Sequence, residues 1–298
     1  MNERATPLAE ARNSVWRHTE GPAGFVVIGL AVVCRVSSLA ALALCFAARP
    51  ATAADKDVII TDRPDFVDSS LSVGKGRFQF EASVLFARKS ADGVREQTYT
   101  TPTLLRYGFA DDWEWRLESD WWSQLRISDS ASGVTTTERG FADLSPGVKW
   151  HVHDADKEAG TPSVAIIAHA ALPSGARAVR GHSVRPAFKS VLEWELPHNF
   201  SIGTIPGLVY DTNDAGQRFV RGTMGVVLNK QWTEKFRTLV EAFWPSIASA
   251  ENGGTVVNYK FAMAYLITNM VQIDSGAYRG WGKGSPDFAM TVGLSMKF

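Results

Sequence analysis

Between Trp113 and Arg126 the chain reads W-E-W-R-L-E-S-D-W-W-S-Q-L-R. Odd positions carry Trp113, Trp115, Leu117, Ser119, Trp121, Ser123 and Leu125, and even positions carry Glu114, Arg116, Glu118, Asp120, Trp122, Gln124 and Arg126. A period of two sends these sets to opposite faces of a strand, whereas a helix would scatter the charges around its circumference. The same alternation runs through Phe78–Ala87, Val184–Leu196, Phe236–Trp244 and Phe288–Phe298. Weaker versions lie near 99–108, 140–152, 163–173, 199–210, 219–231, 257–266 and 270–276, which brings the expectation to about twelve strands.

The connections alternate in length. Tight turns are expected at Ala110-Asp111-Asp112, Pro197-His198-Asn199, Thr233-Glu234-Lys235 and Thr268-Asn269. Longer polar stretches lie around 89–97, 127–139, 174–183, 211–218, 246–255 and 277–287, and only 153–161 is long on the short-turn side. Short turns at one end and longer loops at the other describe an all-β, transmembrane, antiparallel up-and-down β-barrel. In lipid every backbone N–H and C=O must be paired, so a spanning sheet has to close on itself. Its outside must be apolar and its inside can be polar. Trp113, Trp121, Trp150, Trp194, Trp232 and Trp244 fall near expected strand ends, where indole rings suit the membrane interface. A soluble barrel would reverse the faces, leaving an interior overfilled with Trp and Phe, and usually has eight strands rather than twelve.

The N-terminus has a different texture. Phe25–Ala47 is apolar except for Arg35 and two serines, follows Arg4, Arg12 and Arg17, and leads to Ala51-Thr52-Ala53. That order predicts a secretory signal over residues 1–53, cleaved after Ala53, against the alternative of an uncleaved anchor helix. Cys34 and Cys45 lie inside it, so the exported chain would have no thiol for disulfides, catalysis or metal binding. The expected division is then 1–53 signal, 54–76 N-terminal segment and 77–298 barrel. The full sequence balances 31 basic against 31 acidic residues, which argues against a nucleic-acid partner.

Thr61-Asp62-Arg63-Pro64-Asp65-Phe66, followed by Gly76-Arg77-Phe78-Gln79-Phe80-Glu81, resembles the opening signature of the outer-membrane transporter family linked to the meta pathway of phenol degradation. G-F-A-D-L-S-P-G-V-K-W at Gly140–Trp150, A-L-P-S-G at Ala171–Gly175 and Gln272-x-Asp274 match its later features. The resemblance covers essentially all of the expected mature chain. It implies a bacterial outer-membrane location and passage of small apolar or aromatic solutes. The final Phe298 resembles the C-terminal aromatic that such barrels present to the barrel-assembly machinery. Outer-membrane lipid and lipopolysaccharide would surround the wall.

On the inner face the alternation places Glu81, Arg106, Glu114, Arg116, Glu118, Asp120 and Lys149 on the early strands. Arg185, Lys189, Glu193, Glu195, Arg237, Glu241, Lys260 and Lys297 follow on the later ones. Two readings stand: a salt-bridged filling of a narrow barrel, or a polar path. Asp62, Arg63 and Asp65 precede the first strand, and are expected either to fold inward as a plug or to act as a periplasmic tether. His151 and His153 share a strand face as a metal pair would, but beside Asp154 they read as a solvated rim. No Walker, Rossmann or H-E-x-x-H pattern occurs, and no catalytic, cofactor or metal residues are assigned. The leading expectation is a channel, not an enzyme. The alternatives are an enzyme acting on membrane lipid and a structural or surface-binding barrel.

Overall fold

The computed structural model describes residues 57–298 except 214 and 283, so the expected signal and its cleavage site lie outside the described residues. Twelve crossings are built from sixteen strand segments, with no α-helix among the described residues. In chain order they are β1 (Phe78–Ala91), β2 (Val94–Thr100) with β3 (Thr103–Gly108), β4 (Trp113–Ser119) with β5 (Trp122–Asp129), and β6 (Thr135–Phe141) with β7 (Ser145–His153). Then come β8 (Ser163–Ala171), β9 (Arg185–Leu196), β10 (Phe200–Thr204) with β11 (Gly207–Thr212), β12 (Arg218–Gln231), β13 (Phe236–Ile247), β14 (Val256–Thr268), β15 (Val271–Trp281) and β16 (Phe288–Lys297). All strand pairs are antiparallel, and β1 pairs with β16 from Gln79↔Lys297 to Arg88↔Phe288, closing the ring.

The outside is the apolar face. Trp115, Phe188, Leu208, Val220, Val240, Phe261 and Val292 are each more than half or about half exposed, while Arg106, Glu114, Lys149 and Glu81 are fully buried inside. A surface so rich in exposed apolar side chains belongs in hydrocarbon, not water.

Four crossings are broken, and three of the breaks have a plain local cause. Pro102 and Pro206 have no N–H to give to a ladder, although their carbonyls still accept from Ser83 and Ser190. At Asp120-Trp121 the backbone turns left-handed, with φ of 46° at Trp121. This break corrects the reading of 113–126 as one continuous strand: the faces exchange there. Trp122 lies outward against Phe141, ring centroids 5.4 Å apart, and Gln124 and Arg126 follow it outward. Ser123, Leu125 and Ile127 turn inward and are buried. Trp121 and Trp122 therefore mark a break within the wall, not a strand end.

Two further expectations change. The loop expected at 89–97 is a two-residue hairpin turn, Asp92-Gly93, both at positive φ, with Ala91 opposite Val94. Aspartate and glycine are the residues that tolerate such a turn. The inner face is also not polar throughout: Ala165, Ile167, Val191, Val227, Leu239 and Ala262 on β8–β14 form a buried apolar cluster inside the barrel.

Candidate functional site

Within residues 57–77, the stretch from Thr61 to Val73 lies in the lumen, and its backbone is held by side chains of the wall. The N–H groups of Asp62 and Arg63 donate to Glu81, both at 3.1 Å. Those of Phe66 and Val67 donate to Glu241 Oε1 at 2.7 and 2.8 Å. Ser70 N–H donates to Glu193 at 2.7 Å, and Val73 N–H to Glu114 at 2.9 Å. A strandless segment inside a barrel has no ladder to satisfy its amides, so inward carboxylates take that place.

The segment's own charges complete the arrangement. Asp62 accepts from Arg116 at 2.5 Å and from Lys149 at 3.1 Å, with Arg106 at 3.5 Å. Arg106 also pairs with Glu81 at 3.2 Å and Glu114 at 2.8 Å. Three cations thus face three carboxylates, and each cation lies within ion-pair distance of at least two of them. Burial opposes ionisation of Asp62, but Arg106, Lys149 and Arg116 overrule it and hold its carboxyl well below the usual value. Asp65 behaves oppositely: burial, reinforced by the Glu241 charge, pushes it up to about 7 despite Arg237 at 3.2 Å. Arg63 reaches Asp274 and Thr291, each at 3.0 Å. Phe66 stacks on Phe243 with centroids 4.9 Å apart, and Val67 enters the apolar cluster. Gly225 makes room for both: a Cβ there would stand 2.8 Å from Val67 and 2.9 Å from Phe66.

Above this filling lies a cavity of about 1010 Å³ whose floor includes Asp62, Arg63 and Asp65. Its lining mixes signs, and Arg185–Asp143 at 3.0 Å and Arg221–Asp211 at 2.7 Å are internally paired. Beside the cavity the wall changes character. β6 pairs with β5 on one edge, and on its other edge no strand pairs with it among the described residues. The connection 172–184 covers that edge through the bond from Ala176 N–H to Phe141 O and, just past the strand, one from Leu172 N–H to Leu144 O, both 2.8 Å. One carboxylate pins the cover: Asp143 accepts from Gly175 N–H at 2.9 Å, Gly181 N–H at 2.8 Å and Arg185 at 3.0 Å. Outside the same edge, Phe141 packs edge-on against Trp121 and Trp122.

The sequence from residue 61 to 298 matches the family described as the MetA-pathway of phenol degradation. The chain belongs to that family. Among curated protein sequences none matches it. Its fold is similar to the crystal structure of an outer membrane channel from Pseudomonas putida F1, at 11% identity and a TM-score of 0.59, covering 80% of this chain and 100% of the other. The NanC porin is a more distant likeness, at 12% identity and a TM-score of 0.46 over 74% of this chain and 100% of that one. The CymD monoaromatic hydrocarbon channel, at 8% identity, scores 0.40 over 75% of this chain and 88% of its own.

In this phenol-degradation family member the motif residues fall at two places. The opening Thr61–Phe66 stretch supplies the lumen contacts, and Gln272 and Asp274 receive it: Gln272 Nε2 donates to Thr61 at 2.9 Å. Gly140, Asp143 and Gly175, from the G-F-A-D-L and A-L-P-S-G stretches, form the covered edge. A Cβ on Gly140 would lie 2.4 Å from Ala176, and one on Gly175 2.8 Å from the Phe141 carbonyl.

Among the singled-out wall residues, Glu81, Arg106, Arg116, Lys149, Glu193 and Glu241 touch the segment directly. Glu118 bonds Arg116 at 3.1 Å, and Lys189 lies 3.6 Å from Asp68. Asp120 and Arg185 line the cavity instead. Glu195 shares its strand face with Glu193 but sits at the turn end of β9, where it is exposed and pairs with Lys157 of the 153–161 connection. His151 spends its ring on Ser70 O at 3.0 Å and Asp154 at 3.1 Å, and a register shift separates it from His153. Sequence reasoning missed Asp68, Ser70 and Asp143. Only Asp143 carried a signal, as a charge among small residues in a quoted motif.

Proposed function

We propose that the protein is an outer-membrane channel for small, weakly charged aromatic compounds, in which residues 57–77 shut the axial route and solute leaves sideways, between β6 and β9, into the membrane. The observation that carries this reading is the coincidence of the cavity with a stretch of wall that, among the described residues, has no ladder on one side and is held there by backbone bonds to Phe141 and Leu144. Removing the segment from the lumen breaks many charge-assisted bonds at once, whereas uncovering the β6 edge breaks few. The mixed lining offers no net attraction to either sign of ion. The exposed Phe141, Trp121 and Trp122 give an aromatic surface where solute would emerge.

The test measures phenol entry and ion current separately in vesicles carrying the full barrel. Wild-type protein should speed phenol entry while carrying little current. Asp143→Ala, which frees the cover, should raise phenol entry several-fold without raising current. Deletion of 54–66 should raise current. Phenol entry that appears only after the deletion would replace the side exit by an axial gate. No flux in any form would favour a structural or surface-binding barrel.

A further inference from the structure

The outer face of β1 runs Phe78, Phe80, Ala82, Val84, Phe86 and then Arg88. The same change occurs on its neighbours at the loop end: Arg95 lies beyond Tyr99 on β2, Arg126 beyond Trp122 on β5, and Arg139 beyond Phe141 on β6. Register brings these four together. Arg88 and Arg126 sit opposite Gln97 from its two sides. Arg95 is two residues from Gln97, and Arg139 is two residues from Thr137, the partner of Arg126. With strands about 4.8 Å apart and about 3.4 Å per residue, Arg126 is within roughly 8–10 Å of each of the others. Arginine side chains are long enough to converge across such gaps.

No carboxylate shares the outer face of these four strands. Glu96, which pairs with Lys89, and Glu138 point inward, and the nearby Asp287 accepts from the Ser90 backbone N–H at 2.8 Å. In the lumen, Arg63, Arg106, Arg116, Arg237, Lys149 and Lys260 all have carboxylate partners. Arg88, Arg95 and Arg139 are exposed and Arg126 is half-buried, and none of the four has an ion pair or side-chain hydrogen bond among the described residues. A cationic cluster just beyond an apolar band, facing outward, meets the head groups of the outer leaflet. Guanidinium groups bind phosphate oxygens bidentately.

We infer that Arg88, Arg95, Arg126 and Arg139 form a binding site for the phosphorylated sugar head group of lipopolysaccharide, fixing one such lipid against β1, β2, β5 and β6. The inference rests on the outer-membrane placement of the barrel and not on transport.

Full-length protein in detergent is titrated with fluorescent lipopolysaccharide and with its enzymatically dephosphorylated form. Each arginine near an anionic lipid surface is worth about a fivefold change in affinity, so Arg88→Ser/Arg126→Ser should bind about thirtyfold more weakly. Wild-type protein should lose a comparable factor toward the dephosphorylated lipid. Arg279→Ser, on the outer face of β15, should change little. Heat-modifiable gel mobility reports folding. If the double variant misfolds, Arg126→Lys and the dephosphorylated lipid on wild-type protein decide the matter. Equal binding of the two lipids, or of wild-type and variant proteins, overturns the site. Complete displacement by inorganic phosphate would make it a simple anion site and overturn the lipid assignment.

Discussion

Replacing Asp62 by Asn tests whether the lumen segment is held by charge. The change keeps the shape and removes one negative charge from a group of three carboxylates and three cations. Arg106 retains Glu81 and Glu114, and Arg116 retains Glu114 and Glu118. Lys149 retains only Glu114, at 3.8 Å, besides carbonyls of Ser69 and Leu71 that belong to the segment itself. Stranding one buried charge costs about 3–5 kcal/mol. At about 1.4 kcal/mol per factor of ten, the docking equilibrium should fall by two to four orders of magnitude. The part-exposed pairs of Asp57 with Arg77 and with Lys297 give the comparison. Asp57→Asn should cost about 0–1 kcal/mol, fivefold or less. Hydrogen exchange of the Phe66, Val67 and Ser70 amides reads docking directly, because those N–H groups are bonded to Glu241 and Glu193. Asp62→Asn should accelerate their exchange by at least a hundredfold while strand amides stay protected. Equal, small effects from both substitutions would refute the electrostatic account.

Gly225→Leu should expel Val67 and Phe66 from their seat without unfolding the barrel; protease access to residues 61–73 with unchanged gel mobility checks it. Leu117→Arg, facing lipid between Leu105 and Pro146, should cost about 2–4 kcal/mol of folding stability in a urea titration, more than Glu118→Arg at the lumen face. Docking should also depend on pH through Asp65, which burial pushes up to about 7. The docked segment then binds more protons than the free one between about 4 and 7, so docking is tightest at the acid end and loosens as pH rises through that window. Asp65→Asn should flatten the exchange rates of Phe66 and Val67 over that range.

The strand count was legible because hydrophobic alternation records which face meets lipid, and eleven turns or loops interrupt it visibly. Position along the wall was less legible. Trp121 has no residue-type signature for its left-handed φ, so the exchange of faces after Asp120 was invisible and Leu125 was read outward. The pairing of β1 with β2 hid in Asp92-Gly93, a hairpin signal set among charged residues that read as a loop. For the lumen, parity groups Arg106, Arg116 and Lys149 on one face, but no local pattern names a partner. That Asp62 meets all three depends on ring closure, which joins residues far apart in sequence. The apolar cluster inside β8–β14 escaped because small and branched residues on both faces blur the alternation there.

The clasp formed by Asp62 and Arg63 spans the place where the ring is joined. Their amides hold Glu81 on β1, while the Arg63 guanidinium holds Asp274 on β15 and Thr291 on β16. Other anchors, Glu193 on β9 and Glu241 on β13, come from the far side of the ring. Together these anchors tie the segment to both sides of the β1–β16 seam and to the opposite wall. The segment therefore acts as a strap, linking the first strand to the last two by side-chain bonds that the β1–β16 ladder does not include.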